Sequence, residues 1–281
     1  MKIGFIDFYL CEFHAENYPA WFAEIAQKKG QDIRVVSAWA EEEVSPVDGR
    51  TSQDWSALTG VPVRRTLQEV CNESDCLLIL SPDNAENHLR YAEAVLPYGK
   101  PVYIDKTFSP DFKTGEQIFS LAEKYGVPLC STSALRCAEE IASVQGDARS
   151  IVTFGGGGSF ERYAVHQLEM IVKAMGVGAK RVMALSSGAS KSFSIDYGGG
   201  RSASLHYVPG APFCVGIEGA DGVPHYYEIA SDYFRRLMEE IVVFFQSGKV
   251  CAPKEQTLEI MRLSDACVEA EGAPWQFFEI R

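Results

Sequence analysis

Short apolar runs alternate with stretches of helical periodicity through the first half of the chain. Lys2 to Asp7 is a compact apolar run and predicts a buried strand. Tyr18 to Lys28 sets Trp21, Phe22 and Ile25 at helical spacing. Asp32 to Ser37 predicts a second strand, and residues 41 to 54 an acidic, turn-rich surface excursion. Thr66 to Cys71 predicts a short helix. Cys76 to Leu80, Pro101 to Ile104 and Val127 to Ser131 predict further strands. Between them, Asn84 to Leu96 carries Leu89, Ala92 and Leu96 on one face, and Thr114 to Tyr125 predicts another helix. Strand and helix in alternation predict a doubly wound parallel sheet with right-handed crossovers.

The rhythm changes after residue 132. Strand-like pieces now follow one another: Ser150 to Phe154, Arg181 to Ser187, Ser192 to Tyr197, Ser202 to Val208, Phe213 to Glu218 and His225 to Ile229. Glycine-rich turns such as Gly155 to Gly158 and Gly198 to Gly200 separate several of them. This predicts an open, mostly antiparallel sheet with added helices, an α+β arrangement. Ser231 is placed to cap a helix whose stripe is Phe234, Leu237, Met238, Ile241, Phe244 and Phe245, ending at Gly248. Ile260, Leu263, Cys267 and Ala270 form the stripe of a last helix. The expected division is a Rossmann-like nucleotide-binding domain over 1–132 and an α+β substrate and oligomerisation domain over 133–281. An open sheet face needs a cover, so a homodimer or homotetramer is expected.

Composition narrows the classes. The net charge of −12 and pI near 5.0 disfavour nucleic acid and anionic membrane surfaces as partners. No apolar run approaches the ~20 residues that span a bilayer. The segment MKIGFIDFYL enters a strand pattern at once and reaches Glu12 without a small-residue cleavage site, so no signal peptide and a cytoplasmic location are expected. Eight cysteines without CxxC spacing read as small core residues in a reducing compartment, and no metal site is expected.

Candidate chemistry gathers at the predicted strand ends, where open α/β folds bind ligands. Lys106 follows a strand beside Asp105 and is suited to hold a substrate oxygen as negative charge develops on it; pairing with Asp105 at the surface is the plain alternative. The first strand leads into a turn where a dinucleotide fold wants GxGxxG. The three slots fall near Asp7, Tyr9 and Glu12; none is glycine and two are anionic. Asp7 and Phe8 are the residues there expected to meet a cofactor, and a plain strand-to-helix connection is the alternative. Glu41 to Glu43 lie just beyond the second strand and argue against a 2′-phosphate, so NAD is expected rather than NADP. Ser81, Pro82 and Asn84 form the turn after Leu80, with His88 one turn into the following helix. His166 lies in ERYAVHQLEMIVKAMG nearly opposite the stripe of Leu168, Ile171, Val172 and Met175, beside Glu169 and Lys173. It therefore faces solvent or a cleft, as a general acid or base would.

Four segments resemble a known family. LLILSPDNAENHLRYAEAVLPYGKPVYIDKTF, GVPLCSTSALRCAEEI, HQLEMIVKAMG and the closing EIVVFFQSGKVCAPKEQTLEIMRLSDACVEA are similar, in order, to the Gfo/Idh/MocA oxidoreductases. The resemblance implies that Lys106 contacts nicotinamide and substrate, and that His166 is the substrate-side histidine. It implies that Ser81, Pro82, Asn84 and His88 form the cofactor side. In a dehydrogenase of this kind Arg162 and Tyr163 would line the substrate pocket. It differs from the family pattern in the missing glycines, in Asp105 and Thr107 flanking the lysine, and in Arg162 four residues before His166. The implied function is an NAD(P)-dependent dehydrogenase of a sugar, polyol or sugar-derived acid. The alternatives are a binding or regulatory protein of the same fold that has lost the dinucleotide, and a non-redox lyase or isomerase.

Overall fold

The computed structural model describes residues 1–144 and 146–280, the side chains of 186 and 187 excepted. The chain divides into two compact units, Met1–Ser131 with Leu237–Cys251, and Thr132–Arg236 with Ala252–Arg281.

The first unit is built on β1 (Lys2–Asp7), α1 (Phe13–Lys29), β2 (Arg34–Ala40), α2 (Ser52–Thr59), α3 (Leu67–Glu73), β3 (Cys76–Ile79), α4 (His88–Val95), β4 (Val102–Ile104), α5 (Phe112–Tyr125) and β5 (Leu129–Cys130). The strands form one parallel sheet in the order β2-β1-β3-β4-β5. The order reverses between β1 and β3, so the switch point at which open α/β sheets bind ligands lies at the carboxyl ends of those two strands. Ile3, Phe5, Ile6, Leu77, Leu78, Ile79, Val102 and Ile104 are fully buried, as strands covered on both faces require. Gly4 lets α3 approach β1: a Cβ there would collide with Ser74 Oγ and Val70 Cγ1.

Three elements differ from the sequence-based expectation. The second strand continues to Ala40, so Glu41 ends it directly. The acidic excursion contains α2, started by a reciprocal cap between Thr51 and Asp54. α1 begins at Phe13, five residues before Tyr18, because the carboxylate of Glu12 caps it.

The second unit contains β6 (Ser150–Gly155), α6 (Phe160–Met175), β7 (Arg181–Ser187), β8 (Lys191–Gly198), β9 (Arg201–Tyr207), β10 (Cys214–Glu218) and β11 (Pro224–Glu228). α7 (Tyr233–Ser247) follows and passes into the first unit at Leu237. α8 (Lys254–Glu271) and β12 (Phe277–Glu279) complete the second unit. Its sheet runs β11-β10-β6-β9-β8-β7-β12 and is antiparallel except for the β6–β9 pair. The α/β fold with a second, mostly antiparallel sheet is the predicted one. β12, three residues paired to β7, was not expected.

Two further expectations are corrected. Asp232, not Ser231, caps α7: its Oδ1 accepts from the Arg235 N–H at 3.2 Å, while the Ser231 hydroxyl donates to Glu140 at 2.6 Å. Cys11, Cys71, Cys76, Cys130 and Cys267 are buried, but Cys137, Cys214 and Cys251 are only half-buried and are not all core filler.

Candidate functional site

At the carboxyl edge of the first sheet, Asp7 spans the switch point. It ends β1, is 1% exposed, and its Oδ1 accepts the N–H of Phe8 at 2.7 Å and of Ser81 at 2.9 Å. Ser81 follows β3 in the left-handed region at φ 49°, unusual for a residue with a side chain. The Asp7 bond and a contact from Ser81 Oγ to the Asn84 carbonyl, 3.3 Å, hold that turn. Burial drives the Asp7 pKa well above its ordinary value, with repulsion from Glu12 and Asp105 adding to it and the two N–H donors opposing.

Lys106 stands one residue past Asp105 at the end of β4. It is 9% exposed, its Nζ donates to the Pro82 carbonyl at 3.4 Å, and the following peptide is cis. Phe8 and Asn84 are half-buried; Asn84 donates its amide to Glu86 Oε1 at 3.1 Å. His88 is fully buried. Its Nδ1 lies 3.0 Å from the Phe108 carbonyl and its Nε2 2.9 Å from the Leu80 carbonyl. The ring thus ties the β3 turn to the loop after β4. Burial lowers its pKa, against the pull of the two carbonyls.

Two groups on this edge have partners that the sequence pattern alone does not show. Glu12 accepts the N–H of His14 at 2.8 Å and that of Ala15, and lies 3.0 Å from His14 Nδ1. His14 Nε2 lies 3.8 Å from Asp105 Oδ2. Burial alone lowers the His14 pKa, but Asp105 and Glu12 outweigh it and hold the ring above its ordinary value. The readable signal was a glutamate two residues before a histidine at a helix start. Glu41 is the second such group. It is held by Arg90 at 2.9 Å and by the Tyr91 hydroxyl at 2.6 Å, and the Arg90 bond leads in keeping it ionised.

In the second unit, His166 is half-buried on α6, off the apolar stripe, as expected. Its ring lies between those of Tyr163 and Phe213, with centroids at 5.5 and 5.8 Å. Its Nδ1 is 2.6 Å from the Ser133 hydroxyl. Ser133 Oγ also accepts the Leu135 N–H at 3.3 Å, and its second lone pair can accept a proton carried on Nδ1. Glu169 sits behind the pair: it accepts the Ser133 N–H at 2.9 Å and the Arg136 guanidinium at 3.0 Å in a buried ion pair. Tyr163 packs on Gly157, where an added Cβ would strike its ring. Arg162 is exposed on the first turn of α6.

No family model matches the chain. A 61-residue stretch is 34% identical to the uncharacterized oxidoreductase YhhX of Escherichia coli K12; it makes up 22% of this chain and 18% of that relative's length. Solved structures match over the whole chain. A protein described as a "probable dehydrogenase" from Thermotoga maritima superimposes with a TM-score of 0.81 at 12% identity, covering 100% of this chain and 99% of its own. GenD2 of gentamicin A biosynthesis, solved with NAD, gives 0.77 at 15% identity, covering 100% and 96%. The UDP-N-acetylglucosamine 3-dehydrogenase GnnA of Acidithiobacillus ferrooxidans gives 0.74 at 13%, covering 97% and 98%. The fold is the fold of these dehydrogenases. At such low identity the likeness speaks for architecture, and function has to be argued from the residues.

Proposed function

We propose that the chain is a nicotinamide-dependent oxidoreductase of the Gfo/Idh/MocA type, acting on a sugar, polyol or sugar-derived acid. The observation that carries this is Lys106: an almost buried ammonium at the carboxyl end of β4, beside the β1/β3 switch point of a dehydrogenase fold. A bound nicotinamide would supply the hydride acceptor or donor.

The residues fit parts of that cofactor. Glu41, ionised at the end of β2, stands where such folds grip a ribose diol, and its charge favours NAD over NADP. The turn after β1 does not fit a diphosphate. The helix N–H groups a phosphate would use are taken by Glu12, and Tyr9, Leu10 and Cys11 are buried in the turn. A protein that works without a dinucleotide is the reading this turn would suit if no cofactor binds.

The chain's own groups have definite roles in the leading reading. Lys106 donates to the substrate oxygen and stabilises it as charge develops. His166, with Ser133 on Nδ1, exchanges the hydroxyl proton through Nε2. Arg162 and Tyr163 bind substrate, and the arginine suits a carboxylate. Phe8, Ser81, Pro82 and Asn84 form the cofactor side, with His88 bracing it from beneath. The same reading sets the protein in the cytoplasm as a homo-oligomer that covers the sheet face carrying Val152, Phe154 and Tyr226.

The test is a fluorescence titration of the protein with NADH and NADPH, with Lys106→Ala as control. The expected result is NADH binding that the variant weakens. Silence up to millimolar cofactor would eliminate the redox reading and leave the alternative.

A further inference from the structure

The turn after β1 is built for something other than phosphate. Glu12 fixes His14 twice, through its main-chain N–H and at Nδ1, and so sets the plane of the ring. The rings of Phe13 and Tyr18 pack edge-on against it at 5.5 and 5.3 Å. Nε2 is left pointing towards Asp105 at 3.8 Å, too far for a direct hydrogen bond. Two carboxyl oxygens nearby, Asp7 Oδ2 and Asp105 Oδ2, are buried with no hydrogen-bond partner among the described residues. Buried oxygens without a partner are unfavourable, and they suit a ligand that brings hydroxyl groups.

The charges say which ligand. His14 has Glu12, Lys106 has Asp105 beside it, and Asp7 is a third carboxyl group. Each cation therefore has its own counter-charge. The N-terminus of α1, the usual anion seat, is closed by Glu12. An arriving phosphate meets carboxylates and occupied amides. An uncharged polyol meets open acceptors, an ammonium and an imidazole. No metal explains the cluster either, since no group of three such ligands with metal-holding geometry occurs among the described residues.

We propose that His14 is a proton-transfer residue, and that Asp7, His14, Asp105 and Lys106 form a binding site for a neutral hydroxyl- or carbonyl-bearing molecule. The site lies wholly within the first unit and stands whether or not a dinucleotide binds. In the transfer the His14 Nε2–H bond breaks and an O–H bond forms on the ligand's carbonyl oxygen, and the proton returns to Nε2 before release. Nothing is oxidised or reduced, and no co-reactant is consumed. The charged groups acting on His14 are Glu12 from its own segment and Asp105 and Lys106 from the end of β4, with the rings of Phe13 and Tyr18 packed against it. Because the two carboxylates hold its proton more tightly than in free histidine, it serves as the acid.

The experiment is NMR of the full chain labelled at histidine 13Cε1, with the His14 signal assigned by its loss in His14→Gln. myo-Inositol at about 50 mM and inorganic pyrophosphate at about 10 mM serve as the neutral and anionic probes, ranges that reveal even millimolar affinity. Inositol is expected to move the His14 signal saturably and pyrophosphate to leave it in place. Asp105→Asn should weaken the inositol effect about tenfold, the worth of one hydrogen bond to a charged group. Glu12→Gln keeps an oxygen on the helix cap and should bring the His14 titration to lower pH. A His14 signal that answers pyrophosphate and not inositol, or that ignores both, overturns the proposal. NADH fluorescence on the same sample separates the two readings: cofactor binding with an unmoved His14 signal would sink this site and leave the oxidoreductase standing.

Discussion

Two histidines stand on one edge of the same sheet and do opposite things. His14, after β1, has carboxylates on both sides, and their attraction overcomes the burial of its ring. His88, after β3, has carbonyls on both sides, and burial wins. The difference is one of formal charge. A carbonyl dipole repays a desolvated imidazolium poorly, and a nearby carboxylate repays it well. The first ring is therefore able to carry a proton to a ligand. The second is a strut.

The comparison predicts its own tests. The largest effect is expected at the strut. His88→Ala takes the ring N–H from the carbonyl that accepts it, Leu80 or Phe108, and opens a cavity beneath the Ser81 turn, so it should cost about 3 kcal/mol in urea denaturation. A loss below ~1 kcal/mol would mean that this carbonyl finds another donor at no cost.

Glu12→Ala comes next. It removes the cap of α1 and one of the two carboxylates facing His14, with about 1–2 kcal/mol lost near pH 6. The pH dependence has a definite sign. A histidine raised above its unfolded value of 6.5 adds stability below that pH and loses it as pH rises through the folded value. The gap between the wild type and Glu12→Ala should therefore narrow from pH 6 towards alkaline pH; a gap that widens would reverse the assignment of charge at His14.

Asp7→Asn is expected to stabilise. The folded carboxyl group keeps its proton far above the unfolded value of 3.8, so it costs stability progressively as pH climbs from there. The amide oxygen can still accept from Phe8 and Ser81. The variant's melting temperature should match the wild type near pH 3.5 and exceed it increasingly towards neutrality. A constant offset would show that ionisation is not the cause. Arg162→Ala marks the small end. The side chain is exposed, and its loss should change stability by no more than ~0.5 kcal/mol while weakening binding of a carboxylated substrate.

Much of this architecture was legible in the chain, and the parts that were not share a cause. Apolar runs such as Cys76 to Leu80 and the stripe of α6 declare themselves because burial on a fixed period leaves a mark. The local pattern ends the second strand at Ser37 because a polar residue normally closes an apolar run, yet Ser37 is fully buried within β2. Glu41 therefore ends a strand that the local pattern does not extend to it. α1 was started late because glutamate is not among the favoured caps, although Glu12 makes the bonds of one. The partnership of Ser133 with His166 spans 33 residues and leaves no local period to read. His14 was visible only as a histidine beside an acid; its second carboxylate, Asp105, arrives through the sheet from far along the chain.

The late return of the chain from Leu237 to Cys251 has a practical meaning. Anyone wishing to produce the nucleotide-type half by itself cannot simply stop translation after Ser131. Leu237, Met238, Ile241 and Phe244 are buried in the intact molecule, and a fragment without them would lack a helix that the first unit includes. A workable version would need that helix grafted back through a new loop, and an amino-terminal product made without it should be recovered as aggregate.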